Sequence, residues 1–252
     1  MITPTHGAVR RPVAVLAAAL LLAGCGGGGA MTTADQQPGA TPQGGSTGAP
    51  RVSMDVAPQQ LPGLGPKTLA QVPQKTRQAV VVTGRGKNSP ISTVVLYERT
   101  ESGWQAGASW PAHNALKGWT DHHVLEDLRS PIGVYALTDA GGLLPDPGAS
   151  LPYDQSSAFT IGGKGFEGEP LAGSFDYVIA INYNRKAGTT PLDWTRPLGA
   201  DRGGGIWLHV DHEGPTHGCV SLRKEHMKAL LRALDPDRDP VIVMGDAAAL
   251  RR

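Results

Sequence analysis

The chain has 252 residues, with 23 Lys and Arg residues against 22 Asp and Glu residues, and it contains 34 Gly, 21 Pro and 2 Cys. That length allows one domain with a full core plus appendages, or two small domains. The balanced charge, without a run of Lys or Arg, excludes the basic surface that nucleic-acid binding needs. The composition also excludes a coiled coil and a polytopic membrane protein.

The N-terminal residues have the pattern of an export signal. Arg10 and Arg11 precede the apolar run Pro12–Ala23, which is too short to span a bilayer but suits the h-region of a signal peptide. The run continues into Leu-Ala-Gly-Cys, ending at Cys25, and this tetrapeptide resembles the bacterial lipobox. The resemblance implies cleavage before Cys25 and diacylation of its thiol; an ordinary secretory signal with a chance cysteine is the alternative. We predict a lipoprotein signal peptide at residues 1–24 and an extracytoplasmic protein anchored to the bacterial cell membrane.

Residues 25–50 form the second predicted segment. They are rich in Gly, Pro, Ser and Thr and have almost no apolar side chains, so they cannot bury enough surface to fold. We expect the lipidated Cys25 to be followed by a flexible tether that holds one folded domain, residues 51–252, away from the membrane. Because lipidation would occupy Cys25, Cys219 has no partner for a disulfide. An unpaired exported thiol is either inert in a core or kept for its chemistry.

The 51–252 segment has the pattern of a mainly β protein with a few helices. Six short runs rich in Val, Ile or Tyr and bounded by Gly, Pro, Asn or Asp predict strands. These runs are Ala79–Thr83, Ser92–Glu98, Gly133–Leu137, Tyr177–Asn182, Ile206–Val210 and Val241–Met244.

One long helix is predicted between Leu222 and Leu234. Ser221 is its expected N-cap, and Asp235 followed by a proline ends it. A single helical turn is also expected near Thr68–Val72. The evidence for the long helix is that apolar residues recur at i, i+3, i+4 and i+7, namely Met227, Leu230, Leu231 and Leu234.

The segment that follows the fifth predicted strand concentrates the reactive side chains. Three of the eight histidines and Cys219 lie within eleven consecutive residues, 209–219. The predicted helix after Cys219 would bring unpaired amides and the positive end of its dipole to the thiol, which favours a thiolate. The loop 210–218 can fold back and bring the ring of His209 to the thiol. Gly218 allows a turn that aims consecutive amides inward, as an oxyanion hole requires. These are the parts of a Cys–His acyl-transfer site.

Each of these residues also has a structural interpretation. Cys219 can be a small core residue, and His209 can be a buried structural histidine. His217 can orient the site, contact substrate or simply be exposed. His212 points away from His209 by period-two geometry and is expected in solvent. A zinc site is a further alternative, although the spacing matches no common zinc signature; its possible ligands are His209, Asp211, His212, His217 and Cys219.

The segment around Cys219 resembles the signature of a known protein family. The run Thr216–Ser221 (THGCVS), with His209 upstream, resembles the signature of L,D-transpeptidases with the YkuD-type catalytic domain. Two further segments are similar to strands of that family: Arg129–Tyr135 to its T-P-x-G-x-Y/F strand and Asp176–Asn184 to a substrate-side strand. The resemblance covers roughly residues 78–245. It is closest to a short-loop branch of exported lipoproteins, because nine residues separate His209 from the cysteine of the motif.

The resemblance implies a β-sandwich-like fold and a reaction on peptidoglycan stem peptides that uses no cofactor. Cys219 would attack the carbonyl before a terminal D-Ala, and His209 would act as general base and acid. Backbone amides near Gly218 would hold the oxyanion, and His217 would orient the site or contact substrate. A backbone carbonyl or Asp211 would orient His209. An amine of a neighbouring stem would resolve the thioester into a 3→3 cross-link, with D-Ala released.

Substrate contacts are carried over from the resemblance to Tyr183, Ser221 and Arg223. Ser221 stands where the family usually has Asn or Arg, and Arg223 is the residue that would substitute for it. Three alternatives stay open: a related L,D-carboxypeptidase-type hydrolase in which water resolves the same thioester, a zinc hydrolase, and a catalytically inactive wall-binding lipoprotein. We expect peptidoglycan stem peptides and the membrane as partners, no nucleic acid, and a monomer.

Overall fold

The computed structural model of this chain describes residues 57–252. The predicted signal peptide and tether, including Cys25, lie outside the described residues. Residues 57–252 fall within the segment that the sequence predicts as the folded domain. In this part of the chain, no helix is both long and apolar enough to cross a membrane.

Strands make up most of the described structure. They are β1 (Gln78–Gly84), β2 (Ile91–Thr100), β3 (Gly103–His113), β4 (Trp119–Thr120), β5 (Ser130–Pro131), β6 (Gly133–Ala136), β7 (Ala140–Gly142), β8 (Tyr153–Gln155), β9 (Val178–Ala180), β10 (Trp207–Val210), β11 (Val220–Leu222) and β12 (Val241–Asp246). One ten-stranded sheet has the order β6-β12-β1-β2-β3-β11-β10-β9-β7-β8, and β4 pairs with β5. Within the large sheet, β1 runs parallel to β12 and β10 runs parallel to β11.

Alternate residues of a strand point to opposite faces of the sheet. Side chains are buried on both faces. Val80 and Val82 of β1 lie in the large core, whereas Ala79 and Val81 lie in a smaller one. The large core also takes side chains from both halves of the sheet, among them Leu96, Ile179, Leu208 and Val220. The sheet therefore curls until its halves face each other across this core, which confirms the expected mainly β, sandwich-like fold.

Three short helices accompany the sheet in the described residues: α1 (Pro66–Leu69), α2 (Lys224–Ala233) and α3 (Ala247–Leu250). The predicted long helix is present as α2, and its apolar stripe, including Met227, is fully buried in the large core. Its start is corrected, however, because the N-cap is Arg223. Ser221 is not a cap; it lies in β11, paired with β10.

All six predicted strands are present, as β1, β2, β6, β9, β10 and β12. β3 is the long strand that the sequence pattern does not reveal. Its segment GWQAGASWPAH contains no Val or Ile, and residues 105–109 are all exposed, so neither β propensity nor burial marks it. β3 nevertheless connects the two halves of the sheet, since it pairs with β2 along its length and with β11 at Ala112 and His113.

Candidate active site

Two neighbouring parallel strands hold the histidine and the cysteine of the motif. His209 lies in β10, and Cys219 directly precedes β11. The register pairs His209 with Ser221, so Cys219 lies opposite Trp207. Because side chains alternate along a strand, Cys219 and His209 project from the same face of the sheet.

The Cys219 thiol is held by two backbone groups. The N–H of Trp207 donates to Sγ at 3.4 Å, and the thiol donates to the carbonyl oxygen of Gly205 at 3.6 Å. Cys219 keeps some solvent exposure, but protein surrounds its sulfur closely. Burial raises the pKa of the thiol to about 11, and the Trp207 N–H opposes this only in part. At neutral pH the residue is therefore a thiol that needs a base before it can attack.

The expected helix N-terminus beside Cys219 is wrong. α2 begins at Lys224, and β11 lies between them. The helix dipole acts within about one turn of the helix end, so it does not stabilise a thiolate at Cys219. The sequence is ambiguous here, because an apolar run such as Val220–Leu222 fits the start of a helix as well as a short buried strand.

His209 is buried and has a fixed tautomer. It is 3% exposed, and its Nδ1 donates to the carbonyl oxygen of Val210 at 2.9 Å. Since a carbonyl can only accept, the proton lies on Nδ1 and Nε2 carries the lone pair. Burial lowers the pKa of His209 to about 4, so the ring is neutral at pH 7. Its orienting partner is thus a backbone carbonyl, one of the two possibilities that the sequence leaves open.

Hydroxyl groups fix the turn from Thr216 to Cys219. Thr216 is buried, and its Oγ1 donates to the carbonyl oxygen of Cys219 at 2.6 Å. Ser130 Oγ lies 3.5 Å from the same oxygen. The N–H of Thr216 donates to the carbonyl oxygen of Asn114 at 3.1 Å, which ties the turn to the segment after β3. The threonine of the motif therefore locks the backbone that carries the thiol.

Gly218 is needed because of a close approach, not because of its backbone angles. Its φ is not among the positive values of the described residues. A Cβ at this position would lie 2.9 Å from Cδ1 of Ile206, 3.6 Å from the carbonyl oxygen of Arg129 and 3.7 Å from Cε1 of His123. Within residues 57–252, the N–H groups of Gly218 and Cys219 donate to no side chain and to no loop carbonyl.

The loop between β8 and β9, residues 156–177, packs against the site. Its Phe166 lies against the exposed His217, with ring centroids 4.6 Å apart. Phe175 contacts the rings of Trp207 at 5.0 Å and His209 at 5.5 Å. No pattern in the sequence indicates these contacts, because this Gly-rich loop has no hydrophobic period that would fix its path.

The His212 side chain lies beside His209 and is 6% exposed, not in solvent as expected. The two rings stack with centroids 5.8 Å apart, and His212 Nδ1 lies 3.0 Å from Glu169 Oε1. β10 ends at Val210, so His212 lies beyond the strand and the alternation of side chains does not extend to it. Desolvation tends to raise the pKa of Glu169, but hydrogen bonds from backbone N–H groups and from His212 outweigh it and lower that pKa.

Asp211 forms a separate hydrogen-bonded group with side chains of two neighbouring strands. Its Oδ1 accepts hydrogen bonds from Ser221 Oγ at 2.7 Å and from His113 Nδ1 at 2.9 Å. Desolvation tends to raise the pKa of Asp211, but these two hydrogen bonds lower it on balance. The same bond raises the pKa of His113. His113 is a residue of β3 that no motif in the sequence points to.

The three candidates for substrate contact lie in different surroundings. Tyr183 is 6% exposed, and its hydroxyl lies 2.9 Å from the carbonyl oxygen of Arg202. Ser221 is fully buried against Asp211. Neither hydroxyl faces solvent in this structure, whereas Arg223 is exposed and lines a cleft.

The residues considered as zinc ligands do not come together. Within residues 57–252, no three His, Cys, Asp or Glu side chains form a set that could hold a metal ion. Asp211 is paired with His113, and His212 is paired with Glu169. The donor set therefore does not fit a zinc site.

The chain matches the profile of a known protein family. The profile of the YkuD family, the L,D-transpeptidase catalytic domain, matches residues 71–243. The match covers more than half of the chain, and this protein belongs to the YkuD family of L,D-transpeptidase-type peptidoglycan enzymes. The resemblance seen in the Thr-His-Gly-Cys segment is confirmed.

Two solved structures are among those similar to this chain. Bd1075 from Bdellovibrio bacteriovorus is 17% identical, with 74% of this chain and 54% of that chain covered and a TM-score of 0.38. The helical cell shape determining protein Pgp2 from Campylobacter jejuni is 18% identical, with 68% and 48% covered and a TM-score of 0.39. The present chain thus spans about half the length of these structures. No curated protein matches it.

Proposed function

We propose that this protein is a peptidoglycan L,D-transpeptidase that uses Cys219 as a covalent nucleophile. The observation that carries the proposal is the shared face of β10 and β11, where a buried neutral imidazole with its lone pair on Nε2 accompanies the thiol. This geometry supports acyl transfer by a Cys–His pair. The substrate, a peptidoglycan stem peptide, is taken from the family.

In the first half-reaction, the thiol attacks the carbonyl carbon before the terminal D-Ala. His209 Nε2 takes the thiol proton as the S–C bond forms and passes it to the D-Ala nitrogen as the C–N bond breaks. Because the pKa of the thiol is about 11 and that of His209 about 4, a resting ion pair is unfavourable. The proton therefore moves while the bond forms. The N–H groups of Gly218 and Cys219 hold the oxyanion.

The approach of the two catalytic side chains completes on substrate binding. Within the described residues, the thiol and the imidazole each bond to backbone groups and not to each other. Catalytic hydrogen bonds are often long in sites without substrate and tighten in the complex. We propose that the donor peptide displaces the weak contact between the thiol and Gly205 and directs the S–H towards Nε2.

In the second half-reaction, an amine of a neighbouring stem peptide attacks the thioester and forms a 3→3 cross-link. Water in place of the amine gives the related hydrolase, which differs only in this step. We further propose that the protein acts outside the cytoplasm, tethered through a lipidated Cys25. Acyl transfer suits that location, because the energy of the broken peptide bond is kept in the thioester and no nucleotide is used.

Intact-mass spectrometry of the full chain, mixed with a disaccharide tetrapeptide from peptidoglycan, tests this proposal. We expect an adduct on Cys219, released D-Ala, and a dimer or exchange product. Cys219→Ala should form no adduct, whereas Cys25→Ser, the matched control, should form it normally.

Each other outcome has a definite meaning. Turnover retained in Cys219→Ala would remove this residue as the nucleophile. D-Ala release without a transfer product would identify the hydrolase. A folded protein that forms neither adduct nor D-Ala would favour a different donor substrate or the inactive wall-binding lipoprotein.

A further inference from the structure

A cleft of about 560 Å³ opens beside the proposed site. Residues of β2, β3, the turn after β10 and the start of α2 line it. Val210, whose backbone carbonyl orients His209, is among its lining residues, but none of the lining side chains is used in the attack on the donor peptide described above. Its polar side chains are His113, Asp211, Glu213, Arg223, Lys224 and Glu225.

One hydrogen-bonded group lies between this cleft and β11, the strand that directly follows Cys219. His113 of β3 pairs with Ser221 of β11, and Asp211 accepts hydrogen bonds from both. Ser221 follows Cys219 by two residues, so the two side chains lie on the same face of the sheet, about 7 Å apart along the strand. The Cys219 side chain and the His113–Asp211–Ser221 group at the cleft are therefore on one face of the sheet.

The ring of His113 has the orientation that a base requires. Its Nδ1 donates to the Asp211 carboxylate, so in the neutral form of the ring the lone pair lies on Nε2, and its side chain is 26% exposed. The bond to Asp211 raises the pKa of His113; the negative charges of Glu167 and Glu169 act in the same direction, and burial opposes them. The other charged groups that share the cleft with it are Glu213, Arg223, Lys224 and Glu225.

The protons of the transfer step require a second acceptor. A lysine-type amine has a pKa of about 10.4 and is an ammonium at neutral pH. It must lose one proton before it attacks, and a second as the new C–N bond forms and the C–S bond breaks. His209 can pass that second proton to the departing sulfur of Cys219. Water attacks without the first of these losses, so hydrolysis needs one base only.

We propose that this cleft binds the acceptor amine and that His113 Nε2 takes the first proton of that amine, an inference that rests on the proposed function. The Asp211 carboxylate stabilises the imidazolium that forms, and the proton then passes to solvent. His113 is thus a catalytic residue of the transfer half-reaction, and Asp211 is a positioning residue. Positive Arg223 stands beside negative Glu213 and Glu225 on the rim, a mixture of charges that suits an acceptor carrying an ammonium and a carboxylate.

The test measures how the acyl-enzyme divides between amine and water. The full chain is acylated with the disaccharide tetrapeptide and offered Nα-acetyl-lysine or glycinamide, and the transfer and hydrolysis products are counted by mass spectrometry. His113→Gln should lower the ratio of transfer to hydrolysis about 100-fold with Nα-acetyl-lysine, the lower range for loss of a positioned base. The loss should be much smaller with glycinamide, because an α-amine with a pKa near 8 is already about 10% unprotonated at pH 7.

Two further variants separate proton transfer from folding. His122→Gln, the matched control, removes an exposed histidine that lines a different cleft and should leave the ratio unchanged. Arg223→Gln changes an exposed rim residue that is not needed for packing. It should raise the concentration of Nα-acetyl-lysine needed for half-maximal transfer severalfold, but not that of Nα-acetyl-lysine amide, which lacks the carboxylate.

The outcomes distinguish this proposal from the one on which it rests. An equal loss of transfer and hydrolysis in His113→Gln, or a loss that is the same for both amines, would assign His113 a structural role and overturn the acceptor site. A wild-type adduct on Cys219 that neither amine resolves would also overturn it, with the nucleophile intact. A wild-type chain that forms no adduct would refute the proposed function itself.

Discussion

The contact between Gly218 and Ile206 can be tested by substituting both residues. A methyl group at 218 would lie 2.9 Å from Cδ1 of Ile206, closer than real Cβ contacts come, whereas its next neighbours lie at 3.6 and 3.7 Å. Gly218→Ala therefore forces either Ile206 or the Thr216–Cys219 turn to move. Ile206→Val removes Cδ1, the one atom in conflict, so the double variant has room for the added methyl.

The size of each effect follows from packing. Overpacking a well-filled site costs about 1–3 kcal/mol of the free energy of unfolding. Ile206→Val alone should cost about 1 kcal/mol, because it deletes a buried methyl. The added methyl at 218 refills part of that space, so the double variant should lose less than the sum, with a coupling of about 1–2 kcal/mol. Backbone strain adds nothing, since the φ of Gly218 is not positive.

Urea unfolding of the wild type, the two single variants and the double variant gives this coupling. The rate at which the tetrapeptide forms an adduct on Cys219 gives a second measure, because Gly218 directly precedes this proposed nucleophile. We expect Gly218→Ala to slow the adduct and Ile206→Val to restore much of the rate in the double variant. Additive free energies, or a Gly218→Ala chain as stable as the wild type, would refute the conclusion that this glycine is needed for space.

Three further predictions concern the base, the thiol and the anchor. His209→Ala should slow acylation by about 10²–10⁴-fold in a timed mass-spectrometric assay; an unchanged rate across neutral pH would remove His209 as the base. Because the pKa of the Cys219 thiol is about 11, alkylation by iodoacetamide at pH 8 should be about 100-fold slower than for a thiol of pKa ~8.5. The rate should rise about tenfold per pH unit, and a plateau near pH 8 would contradict the raised pKa. Cys25→Ser should move the protein from the membrane fraction to the soluble fraction, and a variant that stays with the membrane would refute lipidation at Cys25.

The sequence predicts the strands whose residues carry both β propensity and burial. β1 and β12 are dense in Val, Ile or Met and almost wholly buried, so composition alone marks them. β3 is exposed and built from Ala, Gly, Ser and Trp, and the pairing that makes it a strand comes from partners elsewhere in the chain. Local patterns cannot contain that information, because the register depends on the whole sheet.

The residues of the candidate site also differ in whether a local sequence pattern predicts them. Cys219 and His209 are predictable because the motif is almost contiguous, and β10 and β11 carry it as neighbours. His113 and Glu169 come from a strand end and a loop far away in sequence, and only the packed structure brings them to Asp211 and His212. The predicted thiolate at Cys219 is wrong. It follows from a helix start placed too early in the chain, and burial raises the pKa of the thiol, whereas the helix end was expected to lower it.

The neutral thiol would have a physical consequence under the proposal that this protein acts outside the cytoplasm. The thiolate, not the thiol, reacts with oxidants, and an exported unpaired cysteine meets them without a reducing pool. By raising the pKa of Cys219 to about 11, burial keeps the thiolate fraction near 10⁻⁴ at pH 7. Reactivity then depends on a substrate that brings the S–H to the neutral Nε2 of His209. A substitution that opens the pocket around Trp207 should therefore raise both the rate of alkylation and the rate of inactivation by peroxide, in the same proportion.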